Sequence, residues 1–358
     1  MAATIPDLTR KIDTIFTTTW YEMQKKAIDN ILDANVISAA LREAGCFKTQ
    51  VGGKYIERTV RYGKKTATAV AKGDTLPTGE DEIETAAFWD WKYLTVHCQR
   101  SLQDDQQNSG QGAIKSLVQT KLSAARDALD EKFESALLAP INTALSRADC
   151  RAPRDPYSLF NLFDPTGTSA TYHPTTIGSP AYSYGGLSTA GDPSAKTLNY
   201  WWQPKYTSAT APALMNLLDQ MRTTYNNCAA GGNDVPDLIL MDQNLFEAYE
   251  DVCGASIQLV ADVGSKLAQL GYDSLKFKGA KVVWTPNALF TNGSYTRMAM
   301  FLNTKWIDVV YDPNLWFTMT SWMTLPNQLE RLARIVCAFP GIICYQPRRQ
   351  GLLSAYTS

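Results

Sequence analysis

Apolar residues recur at helical spacing in two parts of the chain. In residues 1–45 the apolar groups are short and divided, which predicts an arm with short helices that must lie on other protein. In residues 108–138 they recur every three or four positions, at Ile114, Val118, Leu122, Ala125, Leu129, Phe133 and Ala136. With Asn108 or Ser109 as N-cap and Pro140 beyond its end, this second pattern predicts one helix of 31 residues. Its length would be roughly 46 Å.

An alternating pattern occupies the sequence between these two parts. Residues 51–62 and 66–71 predict strands, and a return limb over 83–102 places Trp89, Trp91, Tyr93 and Thr95 on one face. At 3.3 Å per residue, the first strand alone would reach about 40 Å. The pattern therefore predicts a long antiparallel excursion. Because a two-stranded hairpin is marginal alone in water, we expect other protein to cover it.

The remainder of the chain predicts ordered loops followed by a compact region of helices and strands. Residues 140–212 are rich in Pro, Gly, Ser and Thr, but their aromatic side chains must pack, which indicates ordered loops. Helices are predicted from Leu214 to Tyr225, over 244–251 and near 255–270. Strands are predicted at 237–241, 275–284, 298–303, 306–311, 316–324, 331–339 and 341–346.

The composition indicates that other protein subunits cover much of the surface of this chain. The 358 residues carry a net charge of −1, only 19% are charged, and there are 9 Trp and 17 Tyr. Few charges with many aromatics are typical of oligomer interfaces. No apolar run approaches the roughly 20 residues of a membrane span, and the N-terminal stretch lacks the apolar core of a signal peptide. We therefore expect no membrane partner and synthesis in the cytoplasm.

The sequence offers no catalytic constellation. Its two histidines, His97 and His173, have no metal-ligand spacing, and its seven cysteines are scattered without a C-x-x-C pair, so most should be small buried hydrophobes. Phosphate-binding glycine motifs and a G-x-S-x-G elbow are missing. The acidic run Glu80–Glu84 is better explained as a solvated loop than as a cation site. We expect no catalytic, cofactor-binding or metal-binding residues.

Charge is segregated along the alternating excursion. Residues 48–74 hold seven basic side chains, whereas the return limb holds five acidic ones between Glu80 and Asp90. One interpretation is a solvated hairpin whose limbs pair with each other. The other is a projecting arm whose basic limb meets an acidic neighbour.

Several linked stretches resemble one known family. They are GKYIERTVRYGKK (53–65), AKGDTLP (71–77), AAFWDWKYL (86–94), the NSG start of the long helix, YGGLST (184–189) with Trp201-Trp202, PDLILM (236–241), KFKGAKVV (276–283) and FLNTK (301–305). Together these stretches resemble tailed-bacteriophage major capsid proteins of the Hong Kong 97-type shell fold, over residues 50–310. The resemblance implies an α+β fold with an N-terminal arm, an extended β-hairpin loop, a peripheral domain with a long spine helix, and an axial domain.

The resemblance also implies a division of the chain. The N-terminal arm would be residues 1–47, and the extended loop with its flanking strands would be 48–101. The spine helix of the peripheral domain would lie in 102–140, and the axial domain with its long loops in 141–311. The C-terminal strands, 312–358, would complete the peripheral domain.

The function that the resemblance implies is structural. The chain would be a major capsid subunit that assembles with itself into pentamers and hexamers of an icosahedral or prolate phage head around double-stranded DNA. Its other expected partners are a portal protein, a scaffolding protein encoded separately (since only about 47 residues precede the extended loop) and decoration proteins. The packaged DNA would be enclosed without sequence-specific contact. With a net charge of −1 and no basic terminal run, we expect that electrostatics would not condense DNA on the shell wall.

Two other functions remain open on the sequence. An encapsulin-type nanocompartment shell protein would have the same fold, and a cytosolic hydrolase would need a site on the 140–212 loops. For the capsid, we expect an inter-subunit contact between the basic limb and a neighbour's long helix. The basic residues are Arg58, Arg61, Lys64 and Lys65, and the acidic ones, expected on the exposed side of the helix, are Asp127, Asp130 and Glu134.

Overall fold

The computed structural model describes residues 36–63, 67–75, 82–101, 117–138, 155–163, 183–188, 200–208, 217–229, 234–253, 275–285, 298–324, 326 and 330–354. The helices in these ranges are α1 (Val36–Glu43), α2 (Leu117–Leu138), α3 (Leu159–Phe163), α4 (Leu217–Cys228) and α5 (Gln243–Cys253). The predicted helix near 255–270 and most of the predicted arm lie outside the described residues.

The strands are more numerous and mostly short. They are β1 (Phe47–Thr49), β2 (Tyr55–Arg61), β3 (Glu84–Asp90), β4 (Tyr93–Ser101), β5 (Ser183–Tyr184), β6 (Leu187–Ser188), β7 (Lys205–Ser208), β8 (Leu238–Asp242), β9 (Leu275–Phe277), β10 (Ala280–Thr285), β11 (Ala299–Leu302), β12 (Ile307–Tyr311), β13 (Thr318–Met319), β14 (Met323–Thr324), β15 (Glu330–Ala338), β16 (Ile342–Cys344) and β17 (Gly351–Ser354). Mixed sheets together with helices make the fold α+β, as predicted.

The chain divides into two compact units. Unit 1 contains 1–34, 95–131 and 317–336, and unit 2 contains 35–94, 132–316 and 337–358. In unit 1, β13 and β14 pair with successive parts of β15 along one edge. Between them the backbone N–H of Thr320 donates to the carbonyl of Arg334 (2.8 Å), which keeps this short, interrupted edge attached. β4 also pairs with β15.

A six-stranded mixed sheet forms the core of unit 2. Its order is β7-β17-β11-β8-β10-β9, with β8 parallel to β10 and β7 parallel to β17. Every residue of β8 and β11 is buried, as expected for central strands covered on both faces. Leu217, Met221 and Leu245 of helices α4 and α5 join the same apolar cluster. A smaller sheet, β1-β12-β16, lies in the same unit.

Helix α2 confirms the predicted helical spacing within the described range. Ala125, Leu129, Phe133 and Ala136, all predicted as apolar positions, are buried. The ring of Phe133 lies 4.7 Å from that of Phe339 and at right angles to that of Trp316, 5.5 Å away. The predicted N-cap and the residues after Leu138 lie outside the described part of the chain.

Two predictions about the excursion are wrong. Residues 67–71 contain no strand. The alternation of the return limb changes phase at Trp91 and Lys92, which separate β3 from β4, so that Trp89 is buried but Tyr93 is 56% exposed. Alternation predicts which face a side chain occupies only within one continuous strand. Because the strand is interrupted at Trp91 and Lys92, Tyr93 and Thr95 lie on the solvent side.

Candidate functional site

The antiparallel pairing predicted for the excursion is present at its root. β2 pairs with β3 over seven residues, from Tyr55 opposite Asp90 to Arg61 opposite Glu84. Because side chains alternate along each strand, the pair has one inward face and one outward face. The tip, including Lys64 and Lys65, lies outside the described residues.

The inward face of this hairpin packs on its own subunit. Ile56, Ala87 and Trp89 are fully buried, and Val60 is nearly so. The indole of Trp89 meets the ring of Tyr184 edge-on at 5.8 Å. On the inward face of residues 55–61 and 84–90, the expected cover is therefore supplied by unit 2 itself.

A glycine turn makes this close packing possible. The carbonyl of Gly185 accepts the backbone N–H of Phe88 (2.9 Å), which joins the β5–β6 hairpin to β3. Gly185 has φ +60°, and a Cβ there would come within 2.8 Å of the Trp89 ring. The Tyr184 hydroxyl donates to the carbonyl of Ile342 (3.1 Å) and accepts the N–H of Cys344 (2.8 Å). Burial raises the pKa of Tyr184, so this hydroxyl stays protonated as a structural bridge.

The outward face of the hairpin is partly apolar and exposed. Tyr55 and Phe88, which are diagonal neighbours across the two strands, are 44% and 45% exposed. The ammonium of Lys54 lies 4.9 Å from the centre of the Tyr55 ring. Arg61 is exposed at the end of β2, opposite Glu84, so the two limbs do bring opposite charges together at that position.

Arg58 points to the inward face rather than into solvent. It is half-buried, and its guanidinium lies 5.8 Å from the centre of the Tyr345 ring. Its charge and that of Lys48 lower the pKa of Asp308, but burial dominates and the pKa of this carboxyl is raised overall. Arg58 is therefore engaged within its subunit.

The three acidic residues singled out on α2 differ in environment. Asp127 is exposed and Asp130 is half-buried. Glu134 is only 4% exposed, so its expected position on the exposed side of the helix is wrong. Its Oε1 accepts the backbone N–H of Ile37 (2.8 Å) and its Oε2 that of Ser38 (3.1 Å). Glu134 thus satisfies two first-turn amides of α1, where a carboxylate is also favoured by the helix dipole.

A cavity of about 260 Å³ lies at the end of β2 in unit 2. Aromatic side chains form much of its wall, with the rings of Tyr62 and Trp201 stacked at 5.1 Å and 16°. Two arginines, Arg61 and Arg348, also line it, and both are exposed. The remaining lining residues are Thr59, Val60, Trp202, Trp306, Tyr345 and Gln346.

Two buried polar atoms in this cavity wall have no hydrogen-bond partner among the described residues. They are the Tyr345 hydroxyl and Oε1 of Gln346. The neighbouring Trp306 indole is engaged, because it donates to Oδ1 of Asp234 (2.9 Å). Buried polar groups are usually paired, so these two mark a place where a ligand or partner can supply hydrogen bonds.

No catalytic chemistry assembles among the described residues. They contain no group of His, Cys, Asp and Glu side chains arranged to hold a metal ion, and no helix within them is long and apolar enough to cross a membrane. His97 is exposed, and His173 lies outside the described ranges. Five thiols are free and buried, which confirms the expectation for Cys46, Cys98, Cys228, Cys337 and Cys344.

Sequence reasoning missed the cavity. No sequence pattern singled out Tyr345, Gln346 or Arg348. The Trp201-Trp202 pair was one available signal, since adjacent tryptophans in a loop must pack against something. Nothing in local sequence pairs them with residues 59–62 or 345–348.

Comparison with known proteins identifies the fold. No family model and no curated protein sequence matches the chain. Among solved structures, the capsid asymmetric unit of cyanophage A-1(L) matches with a TM-score of 0.62 at 14% identity, over 94% of this chain and 97% of that one. The capsid of a native GTA particle matches with a TM-score of 0.58 at 10% identity, over 93% and 94%. The holo-SrpI encapsulin of Synechococcus elongatus PCC 7942 matches with 0.54 at 10%, over 94% and 96%. The chain therefore has the Hong Kong 97-type capsid fold predicted from its sequence.

Proposed function

We propose that this protein is the major capsid subunit of a tailed bacteriophage, which assembles with itself into a closed head. One observation carries the proposal: the fold likeness spans nearly the whole chain and nearly the whole of the capsid chains that it matches. A shared core inside otherwise different proteins would leave much of one chain unmatched. Its role is structural, and its place is the virion head after synthesis in the host cytoplasm.

The described elements support part of the predicted division of the chain. Helix α2 would be the spine helix, and β2 with β3 would be the root of the extended loop. The six-stranded sheet with α4 and α5 would be the axial domain. The placement of 95–131 and 317–336 in one unit supports a peripheral domain completed by β13, β14 and most of β15. Strand β17 pairs with β11 in the six-stranded sheet, so the end of the chain, 337–358, would belong with the axial domain instead.

Other partners follow from the head function. A portal protein, a separate scaffolding protein and decoration proteins would bind the shell, and the packaged DNA would be enclosed without sequence-specific contact. A net charge of −1 also indicates that electrostatics would not condense the DNA on the shell wall, because non-specific affinity for DNA depends on basic side chains that displace counterions.

We also propose that the basic limb contacts a neighbour's α2, through fewer residues than the sequence predicted. Arg61 and Asp127 are both exposed and suit it, and Asp130 is half-buried. Lys64 and Lys65 lie outside the described residues and stay part of the proposal from the sequence alone. Arg58 and Glu134 suit it less, because each is engaged inside its own subunit. Exposed ion pairs contribute about 0–1 kcal/mol each, so this contact would set register more than affinity.

An encapsulin shell is the second candidate function, favoured by the match to the SrpI encapsulin. Both functions predict closed particles, and they differ in what the particles enclose. A hydrolase is not supported, since the described loop residues bring together no nucleophile and base.

Electron microscopy of the purified protein, expressed alone and then with its neighbouring genes, tests the proposal. We expect closed shells of uniform size that enclose DNA when the neighbouring genes are present. Shells filled with an enzyme would establish the encapsulin function instead. Monodisperse monomers under both conditions would contradict both.

A further inference from the structure

We propose that the aromatic cavity at the end of β2 is a carboxylate pocket, and that it binds Glu131 on helix α2 of a second copy of this chain. The proposal rests on the capsid function proposed above and adds a specific contact to it. The lining of the cavity contains no acidic side chain.

The cavity presents hydrogen-bond donors to whatever enters it. Arg61 and Arg348 offer charged N–H groups, and the buried Tyr345 hydroxyl has no partner among the described residues. The Gln346 amide likewise has an unpaired oxygen, and rotation by half a turn would present its NH2 group instead. A group that accepts several hydrogen bonds and carries negative charge satisfies all four side chains, and a carboxylate does both.

The aromatic walls strengthen such binding. Trp201 and Trp202 are 8% and 0% exposed, and the stacked ring of Tyr62 extends the same wall. Both arginines are exposed in the free subunit, but the buried Trp201 and Trp202 would shield an inserted carboxylate from water, and an ion pair at lower dielectric is stronger than the same pair in solvent. The methylene groups of an inserted glutamate would contact these rings.

Few competing charges lie near the pocket in the part of the chain that the structure describes. Glu84 lies opposite Arg61 in the strand register and partly offsets its charge. Asp234 lies close by but is occupied, because it accepts from Asn303 (2.9 Å) and pairs with Arg349 (3.4 Å). Arg348 is therefore the cation that depends most on a partner from outside.

This chain carries a matching acidic surface. Asp127 and Glu131 are both exposed and are separated by one helical turn on α2. Residues four apart on a helix lie side by side, about 5–6 Å apart at Cβ, so the two carboxylates point the same way. Glu131 has the longer side chain and would enter the cavity, while Asp127 would remain at the rim beside Arg61. In a closed shell of identical subunits a contact made by one copy repeats at every equivalent copy, so one acidic helix per subunit is enough to fill these pockets, which favours a second copy over a soluble anion.

Charge reversal and its rescue test the proposal on the full-length chain. Arg348→Glu should raise the protein concentration needed for shell assembly by about tenfold, because each subunit loses one desolvated ion pair and gains a repulsion. Glu131→Arg should do the same. The double variant Arg348→Glu with Glu131→Arg should recover most of the lost assembly. Lys276→Glu, which alters an exposed lysine outside the pocket, is the matched control.

The outcomes distinguish this proposal from the capsid function. Normal assembly by Arg348→Glu would overturn the pocket and leave the capsid function intact, whereas absence of shells from the wild-type chain would refute the capsid function. Loss of assembly without rescue, in variants with wild-type circular dichroism, would overturn Glu131 as the partner. Quenching of tryptophan fluorescence by a single-stranded oligonucleotide, abolished by Arg348→Glu, would show that the pocket binds phosphate groups and would also overturn the proposal.

Discussion

Replacing Glu134 with alanine should destabilise the subunit through helix α1 rather than through α2. The substitution leaves the backbone N–H groups of Ile37 and Ser38 without their acceptors at 2.8 and 3.1 Å. Loss of an N-terminal cap costs about 0.5–2 kcal/mol, and each buried unpaired donor costs about 1–3 kcal/mol. Removal of a buried carboxylate offsets part of this cost. We therefore expect the free energy of unfolding to fall by about 2–4 kcal/mol.

The pH dependence of the same group has a definite sign. Burial raises the pKa of Glu134, although the hydrogen bonds from Ile37 and Ser38 act in the opposite direction. A carboxyl whose pKa is raised by folding contributes stability that is fully present below its unfolded-state pKa. That contribution is lost as the pH rises through the folded-state pKa. Glu134→Gln cannot ionise, so its unfolding free energy should lack this fall.

Urea unfolding of the unassembled subunit, followed by circular dichroism at several pH values, measures both effects. Hydrogen exchange at residues 37–41 locates the change, because loss of the cap should release the first turn of α1. Glu131→Ala is the matched control, since it removes an exposed glutamate from the same helix. If Glu134→Ala unfolded at the wild-type urea concentration with these amides still protected, the capping role would be refuted.

Three further predictions concern other parts of unit 2. Gly341→Ala should lower the free energy of unfolding by more than about 2 kcal/mol in urea titration, since φ is +113° and a Cβ would overlap the backbone of Tyr157. Wild-type stability would contradict this. Burial raises the pKa of Asp234, but hydrogen bonds from Trp306 and Asn303 and nearby basic charges lower this pKa overall. The contribution of Asp234 to the free energy of unfolding should therefore be fully present above its unfolded-state pKa and be lost as the pH falls through its folded-state pKa. An acid titration in which Asp234→Asn kept the wild-type pH dependence would contradict this. Burial raises the pKa of the thiols of Cys46, Cys228 and Cys344 to about 12. Thiol labelling should therefore be slow in the native subunit and become fast when the subunit unfolds. Fast labelling of the native subunit would contradict this.

The candidate site was only partly predictable from the sequence. Arg61 and Asp127 were singled out by charge patterning, and both are exposed as a contact between subunits requires. Glu134 was placed on the wrong side of α2, because its neighbours Asp130 and Glu131 made an acidic face plausible there. Only the position of α1, 97 residues earlier in the chain, explains its burial. The donors Tyr345 and Arg348 were missed because no local pattern marks a cavity wall.

Periodicity determined most of the secondary structure. The apolar positions of α2, the antiparallel pairing of β2 with β3 and the buried strand β8 all followed from spacing along one segment. These are local properties, since a helix or strand presents its faces at a fixed repeat. The linked motifs between residues 50 and 310 carried the resemblance to a capsid fold, which the structural comparisons bear out.

Tertiary structure alone decided which surfaces remain free. The inward face of the hairpin is covered by the Tyr184–Gly185 turn, about one hundred residues later in the chain, so the root needs no neighbour. The cavity joins residues near 60, 201, 306 and 346, which no single segment contains. Burial and hydrogen bonding depend on what lies across the contact, whereas a sequence pattern specifies only one side of it. For that reason the sequence predicted the elements of this subunit, and the fold determined which of their charges can reach another copy.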